Sequence, residues 1–197
     1  MSRFFRVGFL MIVAGLVLAC SSDMTGNPEV AKAEAYLVEG RNNAAVIELK
    51  NALQKNGNNQ QARWLLGEYY FSEGAYANAE KELKAAHELG QSDSDVLPLL
   101  AQAHLSQNQF EPLQELSVET LSGADLSMVL TSQGLGLLAR GQEEEAALLI
   151  DKAISAAPDL PYALVAQAKL KGTQSDGDWT EARRLLGNVF DKAPEYA

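Results

Sequence analysis

The sequence predicts an all-α fold, a solenoid of about five stacked helix-turn-helix pairs, and three observations carry that prediction. Apolar residues make up 47% of the chain and charged ones 21%, with alanine, leucine, glutamate and glutamine dominant and no β-branched clusters beyond the first eighteen residues. Such a composition favours helix throughout. The chain also repeats itself: AEAYLVEGRNNAAVIELKNALQKNGNN (33–59) superimposes on GEYYFSEGAYANAEKELKAAHELGQSD (67–93), with Tyr36 over Tyr70, Gly40 over Gly74, Ala45 over Ala79, Leu49 over Leu83 and Ala52 over Ala86, each pair 34 positions apart. Small residues and glycines recur at matched places, as close-packed helix pairs require.

The first element is distinct. Arg3 and Arg6 precede an uncharged apolar run from Val7 to Leu18. A membrane helix needs about 20 apolar residues, so this run is too short to span a bilayer but suits the core of a secretory signal. It ends at Ala19 before Cys20, the one cysteine of the chain. Residues 1–19 thus resemble a bacterial lipoprotein signal peptide, with Val17 and Leu18 standing where leucine and a small residue are usual. That resemblance implies cleavage before Cys20, a diacylglycerol on its thiol and an N-acyl chain, enough lipid for stable membrane anchoring. A free thiol in an uncleaved signal anchor is the alternative. A catalytic cysteine lacks a neighbouring base, since His87 and His104 lie far along the chain. Residues 20–28, the lipidated cysteine followed by SSDMTGNP, read as a short tether.

Residues 29–197 form the repeat domain, divided at approximately 26–59, 60–93, 94–126, 127–160 and 161–197. In the second copy Leu66, Gly67, Tyr70, Gly74, Tyr76, Ala79, Leu83 and Ala86 resemble the tetratricopeptide repeat at nearly every signature place. Gly67 and Ala79 are expected to face one another across the helix pair, Gly74 to end the first helix, and Tyr70, Tyr76 and Leu83 to fill the seam. The third copy keeps Leu100, Ala101 and Phe110, with Pro112 in the first turn of its second helix. The fourth restores the pattern through Gly134, Gly141, Ala146, Ile150, Ala153 and Pro158, and its acids Glu143 to Glu145 complement a helix N-terminus. The fifth starts at Pro161, turns through GTQSDGD (172–178), and places Asp178 and Glu181 as a capping box ahead of Ala182. Its last residues, APEYA, stand where a sixth copy would begin, so the chain reads as the front of a longer solenoid or as one whose last helix docks on a partner.

Charge and motifs narrow the function. Loss of Arg3 and Arg6 with the signal would take the formal charge from −10 to −12, which argues against nucleic acid and against adhesion to anionic lipid head groups. GLGLLARG (134–141) lies within a predicted helix and lacks the preceding strand of a nucleotide loop. The two histidines have no matched spacing for zinc, the pairs Glu80/Glu82 and Glu143 to Glu145 read as solvated helix faces, and no catalytic constellation, cofactor or metal site is expected. A non-catalytic binding role remains.

First helices of stacked repeats line a concave groove. The pattern assigns Glu34, Leu37 and Val38 to it from the first copy, Gln61, Trp64, Glu68 and Phe71 from the second, Gln102 and Leu105 from the third, then Leu135 and Leu138. Where tetratricopeptide clamps for peptide carboxylates carry basic residues, this chain has Val30, Glu34, Leu65, Asp95 and Leu99, so an apolar or extended protein segment suits it better. Trp64 alternatively packs within the solenoid. The phrases AAVIELKNALQKN (44–56), EKELKAAHELG (80–90) and SDVLPLLAQAHLSQNQF (94–110) resemble the N-terminal part of the tetratricopeptide lipoproteins of the PEP-CTERM/exosortase system. That resemblance implies a membrane-anchored envelope scaffold in protein sorting or exopolysaccharide export, with protein partners; Ser21 after Cys20, by resemblance to enteric lipoproteins, implies the periplasmic face of the outer membrane as its address. A pilotin-like or outer-membrane assembly lipoprotein, and a regulatory subunit of an envelope enzyme, are the other readings.

Overall fold

The computed structural model describes residues 27–174 and 179–192, with backbone alone for 188 and 190–192. The lipidation residue Cys20, the tether and Asp178 of the expected capping box lie outside the described residues. Helices follow one another in pairs: α1 Pro28–Val38 with α2 Asn42–Lys55, α3 Gln60–Ser72 with α4 Tyr76–Glu88, α5 Asp93–Ser106 with α6 Phe110–Gln114, α7 Gly123–Ala139 with α8 Glu143–Ala156, and α9 Pro161–Gln174 with α10 Thr180–Lys192. No strand occurs among the described residues, and no described helix is long and apolar enough to cross a membrane.

Local chemistry starts and stops these helices. The Asn27 side chain accepts bonds from the Glu29 and Val30 amides at 3.0 and 3.3 Å, with Pro28 opening α1, and Asn59 caps α3 through the Ala62 amide at 2.9 Å. Such caps are worth about 1 kcal/mol each. Within a pair the chain reverses through one left-handed residue: Gly40, Gly74 and Gly141 have φ of 71°, 70° and 75°, and Asn108 takes the same role in the third pair at 56°. The following amide reaches back over the turn, Arg41 to the Tyr36 carbonyl, Ala75 to Tyr70, Gln109 to His104 and Gln142 to Leu137. These bonds satisfy carbonyls a helix end would leave open.

Small residues set the spacing between helices. Ala45, Ala52, Ala79, Ala86, Ala146, Ala153 and Ala182 are all buried, as are Leu49, Leu83 and Ile150. At Gly67 the nearest atoms of the facing helix belong to Leu83. A Cβ there would stand 2.7 Å from Leu83 Cδ2 and 3.3 Å from the Leu83 amide nitrogen, so Leu83 is the neighbour that requires a glycine. Gly134 meets Ile150 in the same way, at 2.9 Å. Tyr70 and Tyr76 are half-buried beside this seam, and Pro158 is exposed between α8 and α9.

The third pair departs from the rest. Its second helix, α6, has 5 residues where α2, α4, α8 and α10 have 13 or 14, although Pro112 does fall within its first turn. The buried side chain of Gln133 on α7 donates to the Leu113 and Leu116 carbonyls, both at 3.1 Å, while Gln114 donates to the Gln133 carbonyl at 2.8 Å. These bonds satisfy carbonyls of a helix that stops early. Ser117, Val118, Thr120 and Gly123 that follow are all weak helix formers. A Cβ at Gly136 would lie 3.0 Å from Leu113, so α6 seats closely on α7, which itself packs directly against α5.

Two further expectations are corrected. Residues 172–174 belong to α9 rather than to a turn, and the Trp179 ring covers Gly172 so closely that any side chain there would collide with it. Glu80 and Glu82 are not a solvated face. Glu82 is 7% exposed and pairs with Arg63 at 2.5 Å, while Glu80 accepts from Lys84 at 2.7 Å and Gln107 at 3.1 Å, tying α4 to α3 and α5. Glu144 and Glu145 are exposed in the first turn of α8.

Candidate protein-binding groove

Three consecutive first helices, α1, α3 and α5, build a groove. A cavity of about 360 Å³ opens between Leu37 of α1, Leu65, Glu68, Tyr69, Phe71 and Ser72 of α3, and Leu99 of α5, with Asn42 of α2 also lining it. On α3 the residues 65, 68, 69 and 72 recur at helical spacing, so they share one face. Leu37, Leu65, Tyr69, Phe71 and Leu99 are half-buried, and the Phe71 ring meets Tyr76 edge-on at 5.6 Å, which fixes it. An apolar wall held by packed neighbours loses little entropy on binding.

Polar groups line the same helices. Glu34 accepts from Gln61 at 3.3 Å and borders a smaller cavity of about 190 Å³ with Val30 and Asn59. Glu68 is exposed as a residue, yet desolvation in the groove, with the neighbouring Asp95 carboxylate second, raises its pKa above the usual carboxylate value. Asp95 accepts from the neutral side chains of Gln91 at 2.7 Å and Ser92 at 2.6 Å. Among the described residues neither Glu68 nor Asp95 enters an ion pair.

The structure brings Leu37, Glu68 and Phe71 together on this surface, but not the whole set that the sequence assigns. Trp64 is half-buried against the core formed by Ala79, Leu83, Val96 and Leu100 and does not line the cavity. The wall-forming stripe passes through Leu65, one position on. Leu105 packs against that core too, and Gln102 is half-buried with its amide 3.5 Å from the Pro98 carbonyl. Leu138 is a core residue, 8% exposed, among Ala146, Ile150, Ala166 and Leu170, with Leu135 packed alongside. Packing against α8 and α9 turns this stripe inward where the pattern alone places it outside. Asn42, Tyr69 and Ser72 are groove residues that the sequence reading missed, although the spacing from Leu65 to Ser72 carries the signal.

Other titratable groups have structural surroundings. His104 is 1% exposed, with Nδ1 at 2.6 Å from the Gln109 side-chain oxygen. His87 pairs with Asp93 at 2.6 Å, and bonds from Thr120 and then His87 hold the Asp93 carboxyl below its ordinary pKa. Tyr36 carries Arg41 over its ring at 4.3 Å. No described group of three or more His, Cys, Asp or Glu side chains is arranged to hold a metal.

Residues 36–103 match the tetratricopeptide repeat family. No curated protein matches the chain. Among solved structures it is similar to the MamA protein, with 18% identity and a TM-score of 0.65 over 86% of this chain and 93% of that one. It is similar to YrrB, described as a tetratricopeptide-repeat protein with an unusual peptide-binding site, at 17% identity and a TM-score of 0.60 over 85% and 86% of the two chains. TTC0263, a thermophilic repeat protein of Thermus thermophilus, aligns at 16% identity with a TM-score of 0.57 over 85% and 91%. At these identities the likeness is one of fold.

Proposed function

We propose that this tetratricopeptide-repeat solenoid is a non-catalytic scaffold that binds protein partners through the groove of α1, α3 and α5, and that lipid on Cys20 holds it in the bacterial envelope. The apolar cavity walled by Leu37, Leu65, Phe71 and Leu99 is the observation that carries the binding role. A peptide-binding site in YrrB, a chain of the same fold, supports it. The charged start, the short apolar run and Ala19–Cys20 support the anchor, and Ser21 after the cysteine, by resemblance to enteric lipoproteins, favours the outer membrane. The resemblance of residues 44–56, 80–90 and 94–110 to exosortase-linked lipoproteins supports a place in protein sorting or exopolysaccharide export.

Each half has its own experiment. Partners captured from envelope extract by the wild type are expected to be lost with Leu65→Ser/Phe71→Ser of unchanged helicity. Retention of the same partners by that variant places binding elsewhere. Cys20→Ala is expected to leave the membrane fraction or to remain uncleaved, and wild-type fractionation and migration of this variant would refute the anchor.

A further inference from the structure

We infer that the groove's occupant is an extended protein segment in which a lysine or arginine stands next to a bulky apolar side chain. This rests on the proposed binding role and adds the chemistry of the partner. The cavity between α1, α3 and α5 joins two unlike surfaces. One is the apolar wall formed by Leu37 of α1, Leu65 of α3 and Leu99 of α5, which line the same cavity. The other is the Glu68 carboxylate, on the same stripe of α3 as Leu65, with the like charge of Asp95, one turn before Leu99 on α5, acting on it from outside the cavity lining.

The acids are short of a cation. Glu68 lines the cavity beside apolar side chains, and desolvation there, with the Asp95 charge second, favours its neutral form. Elsewhere in the fold acids find positive partners: Glu29 binds Lys55, Glu80 binds Lys84 and Glu82 binds Arg63. Glu68 and Asp95 have none among the described residues. A cationic side chain seated against Glu68 in the cavity would offset its desolvation and the repulsion from Asp95 through a charge-assisted hydrogen bond. An acidic or phosphorylated segment would add a further like charge and be rejected. The volume, about 360 Å³, suits a couple of side chains from an extended backbone better than the whole face of a helix. The protein's overall negative charge would steer such a basic segment toward it.

The test is panning of a random peptide library on the purified chain, followed by affinity measurement of the selected peptides. Wild type is compared with Glu68→Gln, Leu65→Ser and Leu99→Ser, each with circular dichroism and thermal melts showing a folded protein. Selected peptides are expected to be enriched in Lys or Arg adjacent to Leu, Ile or Phe. Replacing that cation by glutamine, or Glu68 by glutamine in the protein, should weaken binding by about tenfold, with a loss that shrinks as salt is raised. Binders that depend on Leu65 and Leu99 yet show no basic preference and survive Glu68→Gln overturn this inference and leave the groove as a binding site. Binders insensitive to both leucine substitutions, or none at all, overturn the groove itself.

Discussion

At the scale of single residues, glycine has two separate jobs here, and mutation should separate them. Gly67 is needed for space, because a Cβ would press on fully buried Leu83, which cannot swing away. Gly67→Ala is expected to cost about 1–3 kcal/mol by overpacking. Gly74 has open space around it but a φ of 70°, so Gly74→Ala should cost about 1–2 kcal/mol through backbone strain alone. Asn108 occupies the equivalent turn, and Asn108→Gly is expected to melt at or above the wild-type temperature. Thermal melts followed by circular dichroism report all three. Glu68 gives a pH test. A carboxyl whose folded pKa is raised weakens the fold only where it is ionised, so the penalty is absent in acid and appears as pH rises through that pKa. Glu68→Gln should therefore melt higher than wild type at neutral pH and match it once the carboxyl is protonated in both states.

At the scale of elements, the alternation of helices and left-handed turns was legible in the sequence because it is local. The 34-residue offset marks it, and the buried alanines of α2 and α4 sit where that offset puts them, while those of α8 fall one position short of two periods. The stunted α6 was not legible, because its cause lies about twenty residues away in space-filling contacts with Gln133 and Gly136 on α7. Gln133→Met, which keeps the volume but removes the donors, is expected to cost about 1–3 kcal/mol by leaving two carbonyls without partners. A melt within error of wild type would dissociate Gln133 from the early stop. Ala79→Leu should cost about 1–3 kcal/mol in the α3–α4 seam, whereas Lys84→Ala, at an exposed surface ion pair, should stay within about 0.5. The groove was half legible for a related reason. Helical periodicity identifies the exposed side of α3, but a shift of one residue, from Trp64 to Leu65, decides which side chain packs inward, and tertiary contacts alone settle that shift.

For the whole molecule, α1, α3 and α5 share the surface of the groove, while α2, α3 and α4 bound a separate one. Acidic and apolar side chains meet on the first, while the opposite surface between α2 and α4 carries Lys50, Lys81 and the Arg63–Glu82 ion pair. A partner that recognises the chain by the groove must therefore touch one surface and spare the other. Site-specific photo-crosslinking in the cells that make the protein distinguishes them most directly, with a photoreactive residue at exposed Ser72 on the groove wall or at exposed Lys81 on the far surface. Crosslinked adducts from Ser72 that disappear with Leu65→Ser, together with none from Lys81, are the expected result. Adducts from Lys81 but not Ser72, or adducts at Ser72 indifferent to Leu65→Ser, would contradict it.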